Sequence, residues 1–138
     1  MKLRFKEAMW GKTEDGRRFG FALTAEAPTL GAVALSERLS IEGEASLEGA
    51  AEASPLSGTL RIGLPWRRVL EYDFSFRGAD GATYRYSGQK RVRLLRFLRT
   101  MTTLVGTLYR DGEALGGATA TFALRDLPAL VRSVRLVA

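Results

Sequence analysis

Apolar and polar side chains alternate with a period of two through most of the chain, the pattern of strands with one buried face. Leu3, Phe5 and Met9 share one face of the first segment with Glu7, while Lys2, Arg4 and Lys6 take the other. After a Glu14-Asp15-Gly16 turn, Phe19, Phe21 and Leu23 line the next segment. Leu39, Ile41, Gly43, Ala45 and Leu47 alternate with Ser40, Glu42, Glu44, Ser46 and Glu48, which turns a row of carboxylates toward water. A small-residue turn region is expected from Ala50 to Ser57, then a strand from Thr59 to Leu64 that Pro65 stops. Leu70, Tyr72, Phe74 and Phe76 alternate with Glu71, Asp73, Ser75 and Arg77, and Tyr84 and Tyr86 continue on one face after an Ala79-Asp80-Gly81 hairpin turn. Leu104 to Tyr109 is a strand closed by Asp111-Gly112, followed by Ala118, Ala120, Phe122 and Leu124 alternating with Thr119, Thr121 and Ala123.

Three stretches break the alternation. Residues 27–37, with Pro28 and Gly31, read as a loop containing a helical turn. Arg93, Arg96 and Arg99 recur every third residue, which suggests a short helix before the seventh strand. Asp126 can cap a C-terminal helix with Pro128 in its first turn and Leu127, Leu130, Val131, Val134 and Val137 at helical spacing. Consecutive hairpins without crossover helices predict an all-β, mainly antiparallel, up-and-down arrangement of about eight strands. Closure into a β-barrel removes exposed edges, and residues 1–138 form one domain. The rival is a strongly curved open sheet wrapped on the terminal helix.

Composition narrows the chemistry. With 138 residues the chain can bury a stable core unaided, and it contains no cysteine and no histidine. Disulfides, thiolate nucleophiles, histidine bases and the common zinc ligands are therefore excluded, no metal or cofactor site is expected, and the composition fits a reducing, cytoplasmic setting. The start, Met1 to Glu7, has no apolar run after its charges and is not expected to be a signal peptide; no stretch approaches a membrane helix. The net charge of +6 favours acidic partners or simply keeps the protein dissolved.

Three patches carry a resemblance. Phe5-Lys6-Glu7-Ala8-Met9-Trp10-Gly11 reads as F-x-E-x-M-x-G, Tyr86-Ser87-Gly88-Gln89-Lys90-Arg91-Val92 reads as S-G-x-K-x-V after an aromatic, and Thr100-Met101-Thr102-Thr103-Leu104 precedes an apolar strand. Their order and spacing resemble the accessory domain that accompanies some bacterial cholesterol-oxidase-like enzymes of the glucose–methanol–choline oxidoreductase family. The resemblance implies a lipocalin-like barrel and a setting of steroid or lipid handling. The chain departs from that pattern at Gln89, where the family usually has an aromatic, and at Arg99-Thr100, where it has an acidic residue. No glycine-rich dinucleotide turn occurs, so the resemblance implies a stand-alone relative of the accessory domain and not an oxidase.

Glu7 is the sharpest anomaly, because parity points a carboxylate inward. Lys90 shares its face with Tyr84 and Tyr86, so Glu7 and Lys90 are expected to meet inside the barrel with Thr102 or a tyrosine hydroxyl. Such a group could anchor a ligand's hydroxyl or carboxylate, or be an ion pair that fixes strand register. Phe21, Tyr72, Phe74, Tyr84 and Tyr86 could line a ligand cavity or fill the barrel, and inward glycines and alanines such as Gly43, Gly88 and Gly106 could leave space or accommodate the rings. Arg93, Arg96 and Arg99, with Trp66 nearby in character, could dock on an oxidoreductase or an anionic membrane surface, or be a solvated helix face. Tyr84-Arg85-Tyr86 alternates across the strand, which spoils a stacking platform for nucleic acid. Three readings follow: non-catalytic binding of a small hydrophobic ligand, the leading one; an isomerase or cyclase using Glu7; and an interaction domain with a filled barrel.

Overall fold

The computed structural model describes residues 2–27, 38–63, 69–91, 103–122 and 135–137. Nine strands lie among them: β1 (Lys2–Thr13), β2 (Arg18–Ala27), β3 (Arg38–Leu47), β4 (Ala51–Gly63), β5 (Val69–Arg77), β6 (Thr83–Arg91), β7 (Thr103–Arg110), β8 (Glu113–Thr121) and β9 (Arg135–Val137). β2 to β8 pair antiparallel in chain order, and β1 pairs with β2 on one side and β8 on the other. Eight strands therefore close into an antiparallel barrel, which removes the open-sheet alternative. No helix occurs among the described residues, and none of them forms a helix long and apolar enough to cross a membrane.

Sequence parity fixes the inside. Along β5 the side chains of Leu70, Tyr72, Phe74 and Phe76 are buried, while Glu71, Asp73 and Ser75 lie part-exposed between them. On β3 Leu39, Ile41, Ala45 and Leu47 are buried and Glu42 and Glu44 face water. On these two strands the outer face carries the charges and the inner face the apolar side chains and rings, the reverse of a strand whose apolar face meets lipid.

One end of the barrel, here the turn end, is closed by tight hairpins. Asp111 and Gly112 both have positive φ, 48° and 86°, as a two-residue type I′ turn requires. At Gly78–Ala82 the Asp80 carboxylate accepts the Ala82 N–H at 3.0 Å, Tyr84 Oη–H at 3.1 Å and the Arg110 guanidinium. These contacts hold Asp80 below its ordinary carboxylate value, the Ala82 N–H contributing most. The opposite end, here the Lys2 end, is where Lys2, Ala27, Arg38, Gly63, Val69, Arg91 and Thr103 lie.

Two expectations are corrected. The region Ala50–Ser57 is not a turn: Glu48–Ala50 makes the turn, with Gly49 at φ 77°, and β4 runs from Ala51. Small residues and Pro55 are tolerated because β4 pairs with β5 only from Leu56 onward. Pro55 therefore needs no N–H on that side. The terminal helix does not extend to Val137. β8 pairs with β1 only over Trp10–Thr13, and β9 occupies the same edge at Lys2–Arg4. An open strand edge offers three extended residues a ladder of hydrogen bonds, which here prevails over helical spacing. The remainder of that helix and the short helix at residues 93–99 lie outside the described residues.

Candidate functional site

Glu7 on β1, Tyr72 on β5 and Lys90 on β6 all point inward and are buried. In the closed strand order β5 stands directly across the ring from β1. Tyr72 Oη donates to Glu7 Oε1 at 2.5 Å, and Lys90 Nζ donates to Glu7 Oε2 at 2.9 Å. Nζ also lies 5.0 Å from the centre of the Tyr72 ring, a cation–π contact. The three side chains form a polar bar across the lumen, tying opposite walls together. Burial, reinforced by the Glu7 charge and by the hydrogen bond to it, pushes the Tyr72 hydroxyl well above its ordinary value of 10.0. The phenol therefore stays a donor at neutral pH.

Below the bar, toward the turn end, aromatic rings interlock. Phe21 meets Phe74 edge-on at 5.0 Å, Phe19 lies 4.8 Å from Tyr86, and Phe74 lies 5.5 Å from Tyr86. Phe76 stacks on Tyr84 at 5.5 Å. Tyr86 Oη donates to the Ala118 carbonyl at 2.9 Å and Tyr84 Oη to Asp80, so both phenols of the cluster are satisfied, and burial raises the ionisation of Tyr86 above the ordinary range. The inward glycines serve this packing. A Cβ on Gly43 would stand 2.0 Å from the Ala22 carbonyl oxygen, and one on Gly88 would press into the Tyr86 ring. Their missing side chains admit a neighbouring strand and a ring.

On β1 and β5 exposure rises slightly toward the Lys2 end, while Ala25, Leu39 and Leu104 near that end are fully buried. Along β1 it goes from 0% at Met9 to 8% at Glu7, and Phe5 is only partly buried. Along β5 it goes from 1% at Phe74 through 2% at Tyr72 to 6% at Leu70. Inward side chains are thus largely buried on both sides of the polar bar.

The expected meeting of Glu7 and Lys90 occurs, and Phe21, Tyr72, Phe74, Tyr84 and Tyr86 are all inside. Thr102, Arg93, Arg96, Arg99 and Trp66 lie outside the described residues. Sequence reasoning placed Tyr72 with the rings and allowed for an unspecified tyrosine hydroxyl. Its role as the third member of the bar depends on which strands face each other. On the outer face a hollow of about 350 Å³ is lined by Ser75, Thr83, Arg85, Tyr109, Asp111 and Gly112. Its Arg85 is already committed, to Asp73 through two hydrogen bonds and to the Tyr109 ring. No protein family, curated protein or solved structure matches the chain.

Proposed function

We propose that the barrel binds one small hydrophobic molecule, steroid or lipid-like, without transforming it. The ligand's polar end meets the Glu7–Lys90–Tyr72 bar, and its apolar body lies toward Phe5 and Leu70 at the Lys2 end. One observation carries the reading: a carboxylate, an ammonium and a phenol are gathered inside an otherwise apolar barrel. Desolvating such a pair costs several kcal/mol per ion, and well-packed apolar residues there would be as stable or more so. A binding role gives these three groups a use beyond register. Closed eight-stranded antiparallel architecture agrees with the lipocalin-like expectation. The likeness to an oxidoreductase accessory domain belongs to the same proposal, resting on the three sequence patches. So do the helices at 93–99 and from Asp126, docking of Arg93, Arg96 and Arg99 on an oxidoreductase or anionic surface, and a cytoplasmic setting.

A second reading, an interaction domain with a filled barrel, draws support from the interlocked rings of the turn half. Native mass spectrometry of protein purified from its own host separates the two. Binding predicts a co-purifying apolar compound of defined mass, recovered chemically unchanged. Recovery of a converted product would favour the acid–base reading of Glu7. Absence of any adduct, together with no retention of added sterols or lipids, would leave the interaction domain.

A further inference from the structure

We propose that the outer hollow on β5, β6 and β7 is a second binding site, one for a neutral sugar ring, independent of the lumen. Register builds it: Ser75, Arg85 and Tyr109 stand side by side across the three strands on the outer face. Thr83 lies next along β6 and is tied to the hairpin tip. Its N–H donates to Asp111 Oδ1 and its carbonyl accepts the Asp111 N–H, both at 2.8 Å. With Gly112 these residues line about 350 Å³, a volume within the range of small-molecule sites. Each sits on a paired strand or in a tight turn, so the hollow is formed before a ligand arrives.

The lining asks for a ligand that both donates and accepts. Arg85 Nε donates to Asp73 Oδ1 at 2.8 Å and Nη2 to Oδ2 at 2.6 Å, and the guanidinium carbon lies 5.6 Å from the centre of the Tyr109 ring. One edge of the fork is thus occupied and its plane is held, while the Nη1 hydrogens bond no described residue. Asp111 Oδ2 and the hydroxyls of Ser75, Thr83 and Tyr109 are likewise without a hydrogen bond to any described residue. A free anion meets the Asp111 carboxylate, and the Arg85 charge is already balanced by Asp73. An ammonium has no lone pair for the Arg85 donors. A sugar hydroxyl donates to Asp111 and accepts from Arg85, and its neighbours meet Ser75 and Thr83. The Tyr109 ring and the Thr83 methyl give the C–H face of the sugar an apolar wall.

Nitrogen-15 NMR titration of the whole chain tests this, with glucose, mannose, galactose and N-acetylglucosamine as probes and inorganic phosphate and ethylammonium as charged controls. At least one sugar is expected to shift the Thr83, Arg85, Asp111 and Gly112 amides saturably, at roughly millimolar affinity, and the controls are expected to leave them in place. Maltotriose and chitotriose accompany their monomers: tighter binding of the trisaccharide supports a site for a glycan chain, equal binding a site for a free sugar. Asp111→Asn keeps an oxygen for the Thr83 N–H and removes the charge, so sugar affinity should fall at least about fivefold. Tyr109→Leu should abolish the shifts while the rest of the spectrum is unchanged. Silence of these amides toward every sugar, shifts driven by phosphate or ethylammonium alone, or sugar binding that survives both variants would overturn the site, and none of these outcomes bears on the lumen.

Discussion

Glu7 is held by two donors that come from strands on the far side of the ring, and its loss of either has a different cost. Lys90→Met removes the balancing charge and leaves a buried carboxylate; denaturant unfolding should show a loss of about 3–5 kcal/mol. Adding Glu7→Gln to Lys90→Met should restore much of that, because the amide oxygen still accepts from Tyr72 while no charge remains buried. Alkaline titration reports the phenols. Tyr72 and Tyr86 both ionise above the ordinary tyrosine value of 10.0 when folded. The unfolded chain releases these protons first, so stability is full below pH 10 and declines as pH rises beyond it. Tyrosinate absorbance from these two should appear together with the loss of circular dichroism, and Tyr72→Phe should flatten the alkaline decline. Strand parity alone made Glu7 and Lys90 legible in the sequence. Tyr72 was legible as an inward ring but not as the carboxylate's partner, since contact across a lumen depends on which strands are opposite.

At the level of elements, two glycines illustrate how a barrel wall bends. A Cβ at Gly43 would lie 2.0 Å from the Ala22 carbonyl oxygen, and one at Gly20 would lie 2.0 Å from the Trp10 ring. The distances match, yet the neighbours differ. Ala22's backbone is fixed by the β2–β3 ladder, whereas Trp10 is 61% exposed and can swing outward. Gly43→Ala should therefore cost about 3 kcal/mol or more by thermal unfolding, and Gly20→Ala about 1 kcal/mol or less. Hairpins such as Asp111-Gly112 were readable because the turn type demands its residues. β4 was not, because Ala51 to Ser57 lacks bulky alternation and its strand form comes from pairing with β3. The short β9 was hidden for a similar reason: an available edge, and not side-chain spacing, sets the conformation of Arg135–Val137.

For the molecule as a whole, the alternation in the sequence was enough to predict antiparallel closure, since each hairpin joins neighbouring strands in order. Which strand completes the circle was not written there. β1 does so by dividing one edge between β8 and β9, and this brings Lys2 opposite Val137. Residues from the two extremes of the chain are thereby next-door neighbours. A few added residues could splice them, and the backbone could then be cut between Asp111 and Gly112, on an exposed tip. Such a circular permutant should melt in a single transition and keep the Glu7-dependent stability of the parent, so the order of synthesis is not what builds this wall.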